Sequence, residues 1–452
     1  MSVLANIWKI KELRVRILFT LGLIFICRMV ATVPTPGVDT TALAAFMREA
    51  ETNASGGMMG MFNLFSGGAI SKFAVGTLSI WPYISASIII QLMTAIIPAL
   101  ERMAREGETG RQKLNQTTRY LTLALCIVQS FAIARTLERP GLFGGEGSLV
   151  YHPGWGFRVL TMLTMTSATM LLMWLGEQIT ARGIGNGTSV IIMVNICSRL
   201  PAALLDGASR FLPVGGAPAQ FSIIHFVFLA TLAFLVFAGT IALTQGLRRI
   251  PIHTARRTVG ARVTGGHNTY MPLRVNYTGV MPIIFAGPIL GALGWLLSKV
   301  QVPWLYWMQW IGMTLSKQTS ILFTITYMVL ILFFSFFWVA TQFNAVQIAD
   351  DLKRSGGYIP GIKPGMPTAE FLDLTMTRVT LIGAIGLIVI AVLPSTLQRL
   401  LDVPSLLAGF LGGTSLLIIV GVALDTMRQV ESYLVMRNYD GFLKHGRLRG
   451  RR

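Results

Sequence analysis

Any chemistry in this chain would have to come from very few residues. Its five histidines are His152, His225, His253, His267 and His445, and only His225 falls in an apolar stretch. None stands in a His-Glu-x-x-His pair, no Cys-x-x-Cys occurs, and no serine has a plausible histidine partner. Hydrolytic and metal-dependent reactions therefore have no candidate residues, and neither a catalytic set, a metal site nor a cofactor is expected. Cys27, Cys126 and Cys197 each lie in apolar sequence and read as small packing residues. The run Gly183–Gly187 (GIGNG) superficially matches a phosphate loop, but it follows a helix rather than a strand and reads as a tight turn. Ion-coupled transport needs titratable groups inside apolar spans, because buried charge is costly and kept only for function. The main ones are Arg28, Glu177 and Asp425, the two acids near expected helix ends, so no midplane acid pair exists.

The elements that must position these residues are membrane spans. The chain is 53% hydrophobic and only 13% charged, too apolar for a water-soluble protein. Stretches such as 321–340 and 406–424 carry no charge and are long enough to cross a hydrocarbon core of roughly 30 Å. Ten helices are expected, at 14–33, 72–98, 119–137, 158–178, 187–205, 221–245, 277–297, 319–340, 378–397 and 404–427. Lysine and arginine number 38 against 19 acids, and they cluster in alternate loops. One loop holds Arg102, Arg105, Arg111 and Lys113. Another, 246–276, holds Arg248, Arg249, Arg256, Arg257, Arg262 and Arg274 without an acid. A third, 341–377, holds Lys353, Arg354 and Lys363, and the tail ends in further arginines. The positive-inside rule then places both termini in the cytoplasm. The first apolar run leads to Pro34–Gly37 without a small-residue cleavage site, so it reads as a span rather than a cleaved signal. Five spans followed by five in opposite topology suit an inverted repeat with its pathway between the halves. The halves are expected at 1–205 and 206–435, followed by a basic tail, 436–452.

Residues 56–71 are apolar, punctuated by glycine and too short to cross. They suit either a re-entrant half-helix facing protein or a water cavity, or an amphipathic helix on the outer surface. In the span that follows, Ile80, Ile84 and Ile88 recur at helical spacing, and Ser87, Gln91 and Thr94 form a polar stripe. A polar stripe in lipid requires another helix or water.

At these residues the chain resembles the SecY family of protein-translocation channels. The resemblance rests on Met61–Ala69 (MFNLFSGGA), Trp81–Leu92 (WPYISASIIIQL), Trp174–Thr180 (WLGEQIT) and Arg182–Gly187 (RGIGNG). It continues through Arg248–Pro251 (RRIP), Tyr358–Gly365 (YIPGIKPG) and Gly412–Leu417 (GGTSLL), in family order along nearly the whole chain. It implies an all-α polytopic fold: ten helices in two inverted five-helix halves around an hourglass pore, closed by a short re-entrant plug near 57–70. Carried over position by position, the pore ring is Ile80, Ile84, Ile192, Ile284 and Ile418, with Thr188 where isoleucine is common in the family. The plug is Phe62, Asn63, Leu64 and Phe65. A side gate opening to lipid involves Ser85, Ser87, Ile88, Gln91, Gln129 and Asn276, of which Ser85, Gln129 and Asn276 form a polar latch.

The same resemblance implies a protein-conducting role in the bacterial inner membrane. It implies SecE-like and SecG-like small subunits, the SecA ATPase, the ribosome with its RNA phosphates, signal peptides and nascent chains, and membrane lipid as partners. Arg248, Arg249, Arg256, Arg257, Arg262, Lys353, Arg354 and Lys363 would dock the motor or the ribosome; alternatively they only set topology. Lys363 stands where the family commonly has arginine, and lysine lacks the guanidinium's bidentate geometry. The chain has no nucleotide-binding loop, so energy would come from a partner or the membrane potential.

Overall fold

Inside a bilayer each backbone polar group must find its partner within the protein, which favours helices. The computed structural model is accordingly helical. It describes residues 10–39, 41–43, 63, 66–138, 149–211, 223–254, 257–259, 262–264, 268–298, 306–317, 320–401 and 403–445. Each of the ten expected spans contains a helix. Among the described residues eight helical stretches are long and apolar enough to cross a membrane, Gly187–Ala208 being taken as one of them, or nine if one bent pair is a single span. The first helix, α1 (Lys11–Val30), is not among them, because Lys11, Glu12, Arg14, Arg16 and Arg28 crowd its twenty residues.

The chain divides into two compact units, Met1–Ala202 with Ile418–Arg452, and Ala203–Leu417. The first contains α1, α2 (Trp81–Ile96), α3 (Pro98–Arg105), α4 (Glu108–Glu138), α5 (Trp155–Arg182) and α6 (Gly187–Cys197). Next comes α7 (Leu200–Phe211), which runs from the first unit into the second. The second unit contains α8 (Ile223–Gln245), strands β1 (Leu247–Thr254), β2 (Arg257–Val259), β3 (Arg262–Thr264) and β4 (Asn268–Arg274), then α9 (Met281–Ser298) and α10 (Tyr306–Ser316). It continues with α11 (Ile321–Gln342), α12 (Ala345–Arg354), β5 (Gly357–Tyr358), α13 (Met366–Leu401) and α14 (Ser405–Leu411). The last helix, α15 (Gly413–His445), begins in the second unit and continues in the first.

Three spans depart from the sequence reading, and the first departure has a plain physical cause. The second span does not start at 72, because the backbone around Phe73–Gly76 bonds elsewhere. Thr35 N donates to Phe73 O at 2.9 Å, Val75 N to Val33 O at 2.8 Å and Gly76 N to Val30 O at 3.2 Å. Residues 66–80 therefore form consecutive turns, and α2 starts at Trp81 with Pro82 in its first turn, where a missing N–H costs nothing. Pro98 ends α2 in turn, and α3 leaves at 103°. The fifth expected span, 187–205, is interrupted at Ser198–Arg199 between α6 and α7. The tenth, 404–427, is broken at Gly412 between α14 and α15.

In the first unit, α4 lays Thr118, Thr122, Cys126, Ser130 and Ala134, one turn apart and all buried, along a single face. Thr118 and Thr122 hydroxyls bond back to the carbonyls of Leu114 and Thr118 at 2.9 and 2.7 Å, so the face presents small, satisfied side chains. At the α4 C-terminus Glu138 accepts from Arg158 Nε at 2.8 Å and Nη2 at 2.7 Å, and from Gly154 N at 2.9 Å. The Arg158 guanidinium also lies 5.1 Å from the Trp155 ring centroid.

Candidate functional site

The expected ring positions fall on α2, α6, α9 and α15. Ile80 is the N-cap of α2 and accepts Ile84 N at 3.1 Å, so the expected i, i+4, i+8 register holds through the helix start. Ile80 is buried with Cys27, Leu172, Leu175, Ile179 and Ile191, and Ile84 packs against this cluster. Thr188 and Ile192 are one turn apart on α6 and both half-buried. The Thr188 hydroxyl donates to Asn186 Oδ1 at 2.8 Å, which engages it with the residue capping its own helix. Ile418 is buried on α15. Ile284 belongs to the second unit, half-buried beside the fully buried Ile283.

The start of α6 is set by the turn expected at Gly183–Gly187. Gly185 has φ +87°, a left-handed conformation that favours glycine. Gly187 packs so closely on the Gly176 carbonyl that a Cβ has no room. Side chains from three helices hold the turn's amides. Ile184 N donates to Thr20 Oγ1 of α1 at 3.2 Å, Gly187 N to Thr180 Oγ1 of α5 at 2.8 Å, and Gly185 N to Gln429 Oε1 of α15 at 2.8 Å. The glycine-rich run is a helix junction rather than a phosphate loop.

Of the expected plug residues, Phe62, Leu64 and Phe65 lie outside the described residues. Asn63 is buried, with its carbonyl accepting Gly68 N at 2.9 Å and its Oδ1 accepting Ser71 N at 3.2 Å. Arg28 reaches the turn that follows. Its Nη1 donates to Gly67 O and to Asn195 Oδ1, both at 3.4 Å. Asn195 Nδ2 in turn donates to Ser79 Oγ at 3.1 Å. The sequence reading marked Arg28 but neither Asn195 nor Ser79; an asparagine three residues past Ile192 on an apolar helix was the available signal.

Among the gate positions, Ile88 is buried, Ser85 and Gln129 are half-buried, and Ser87 and Gln91 are exposed. No hydrogen bond joins Ser85 to Gln129 among the described residues. Asn276, in the second unit between β4 and α9, has an enclosed Oδ1 without a hydrogen-bond partner among the described residues. Of the acids singled out in the sequence, Glu177 receives a bidentate Arg119, Nε to Oε1 at 3.0 Å and Nη2 to Oε2 at 2.7 Å. Asp425 meets Arg428 only at 3.9 Å in an exposed pair.

The two basic loops share one sheet, which the sequence reading did not anticipate. Strand β1 pairs antiparallel with β4 on one side and, through His253↔Tyr358 and Thr254↔Gly357, with β5 on the other. Ile250, Leu273, Phe343, Ile359, Leu372 and Met376 form the core to which both loops contribute. Arg248, Arg249, Lys353, Arg354 and Lys363 are exposed. Arg257 and Arg262 lie on the separate β2–β3 pair, and Arg256 lies outside the described residues. No cluster of histidine, cysteine and acidic residues able to hold a metal occurs among the described residues.

The family model for SecY matches residues 74–427. The protein translocase subunit SecY of Chlamydia trachomatis is 40% identical, with all of both chains covered. Among solved structures, a SecY protein studied for how its plug domain stabilises the closed translocation channel superposes with a TM-score of 0.54. It is 16% identical, over 93% of this chain and 92% of that one. The Sec61 channel from a canine ribosome–channel complex superposes at 0.58, with 14% identity and the same coverage. Both likenesses concern the fold.

Proposed function

The chain belongs to the SecY family, and from that premise we propose that it is the channel through which unfolded secretory polypeptides cross a membrane and transmembrane segments leave sideways into lipid. The observation that carries this reading is the full-length 40% identity to a protein translocase subunit. A translocating chain presents every kind of side chain, so a pathway that bound any of them tightly would stall. A narrow ring of Ile80, Ile84, Thr188, Ile192, Ile284 and Ile418 binds nothing strongly and excludes ions by dewetting. Thr188 suits such a ring because its hydroxyl is engaged by Asn186. Lateral release sorts segments by transfer energy: at the bilayer centre leucine gains about 0.5 kcal/mol and arginine costs about 3 kcal/mol.

In this reading the chain is not an enzyme. It sits in a bacterial inner membrane with both termini cytoplasmic, has halves at 1–205 and 206–435, and has its plug near 57–70. SecE-like and SecG-like subunits accompany it, and SecA or the ribosome docks on the cytoplasmic loops. The shared sheet supports that docking role, since β1 carries Arg248 and Arg249 and pairs through β5 with the loop that holds Lys363. The test is reconstitution of the purified chain with its co-purifying subunits. An unfolded secretory protein should become protease-protected in a SecA- and ATP-dependent manner, and deleting Phe62–Phe65 should raise resting ion conductance in planar bilayers. Solute-driven ion flux with no polypeptide transport would overturn the reading.

A further inference from the structure

Arg28 sits on a span that the protein could have made apolar throughout, and a charged residue there needs a reason. Its surroundings supply one. Gly67 and Gly68 both lie in the left-handed region, at φ +67° and +87°. A Cβ on Gly67 would fall 2.5 Å from Arg28 Nη1, and one on Gly68 would fall 3.1 Å from Arg199 Nη1. Two guanidiniums therefore lie directly on this glycine turn, and only glycine admits them. Both glycines are buried, so the Gly67 carbonyl needs a donor, and Arg28 provides it through Nη1 and Nη2 at 3.4 Å.

Asn195 fixes the rest. Arginine only donates, so Asn195 must turn Oδ1 towards Arg28 and keep its amide hydrogens for Ser79 Oγ. Ser79 and Asn195 are both buried, at 7% and 4% exposure, so neither bond is readily replaced by water. Ser79 also occupies φ +50°, and Phe73 +43°, backbone states that non-glycine residues keep only where surroundings over-determine them. The network thus has three ends. One is the Gly67–Gly68 turn, just after Phe65 and within the expected plug segment, one is the residue directly before Ile80, and one is the helix turn that follows Ile192.

We infer that Arg28 and Asn195 form a latch that fixes the Gly67–Gly68 turn to the start of α2 and to α6, two of the helices that carry ring positions, and thereby sets the resting seal. They are positioning residues, acting through Gly67 and Ser79 rather than touching a transported chain. This inference rests on the channel reading above. It explains why an arginine is present: Nη1 reaches the Gly67 carbonyl and the Asn195 amide oxygen together while Nη2 adds a second bond to the same carbonyl, and a lysine's single nitrogen cannot supply that second arm.

The experiment uses the full chain with its co-purifying subunits in planar bilayers, without substrate. Arg28→Lys and Asn195→Ala are each expected to raise resting open probability about tenfold, the scale of one lost hydrogen bond to a charged group. The double variant should leak no more than the leakier single variant, because both changes break one connection. Asn195→Asp keeps an acceptor for Arg28 and should retain most of the seal. A thermal midpoint in detergent matching wild type separates latch loss from unfolding. Folded single variants that stay as tight as wild type, while deletion of Phe62–Phe65 leaks, would overturn the latch and leave the channel reading standing. Silence of that deletion as well would remove the channel reading and the latch with it.

Discussion

At one end of the α4–α5 pair Arg119 grips Glu177 with two hydrogen bonds, and the two side chains are 50% and 32% exposed. At the other end Arg158 grips Glu138, with exposures of 17% and 5%. The chemistry is the same guanidinium and the same carboxylate, yet the two pairs hold the helices by different means. Water already solvates half of Arg119, so its pair gains little and is screened by salt. Glu138 has given up its water and relies on Arg158 and the Gly154 amide for replacement bonds. Burial, not bond count, decides which end is vulnerable. In the proposed orientation the exposed pair would lie at the cytoplasmic end and the buried pair at the outer end.

Three substitutions separate the ends, read by thermal unfolding of the solubilised protein. Glu138→Gln should cost most, about 3–5 kcal/mol, because it leaves Arg158 enclosed without a counter-charge. The loss should hardly change with salt; a cost under about 1 kcal/mol would place this pair with surface pairs. Ser130→Leu tests the face between the ends, and overpacking there should cost about 1–3 kcal/mol. Arg119→Ala should cost least, within about 1 kcal/mol, and the difference from wild type should shrink further at high salt. If Arg119→Ala proves as damaging as Glu138→Gln, the burial argument fails.

The sequence revealed what hydropathy can reveal. Spans near 319–340 and 277–297 reappear as Ile321–Gln342 and Met281–Ser298, because there the apolar stretch and the helix coincide. Elsewhere helices outrun their apolar stretches. The span expected at 378–397 belongs to Met366–Leu401, since Ala369 and Leu372 bury in the core shared with the sheet-bearing loops. Hydropathy reports membrane thickness, not helix length. The late start of α2 was hidden because its cause, the bonds from Thr35, Val75 and Gly76, lies in pairings some forty residues apart. Family motifs named the candidate site positions but not the bonds around them. Least readable was a lone polar residue with distant partners, as Asn195 has in Arg28 and Ser79.

The Gly183–Gly187 junction has a consequence for how the molecule is made. Its Gly185 amide is satisfied by Gln429, a residue 244 positions later in the chain. Arg16 of α1 likewise meets Tyr433, 417 positions away, through a 3.2 Å hydrogen bond. At biosynthetic rates the junction waits on the order of 10–50 s for its last donor–acceptor pair after its own glycines have been polymerised. The first-made unit therefore cannot complete itself in the order of its sequence. It is held open to the nascent remainder of its own chain and closes only when α15 arrives.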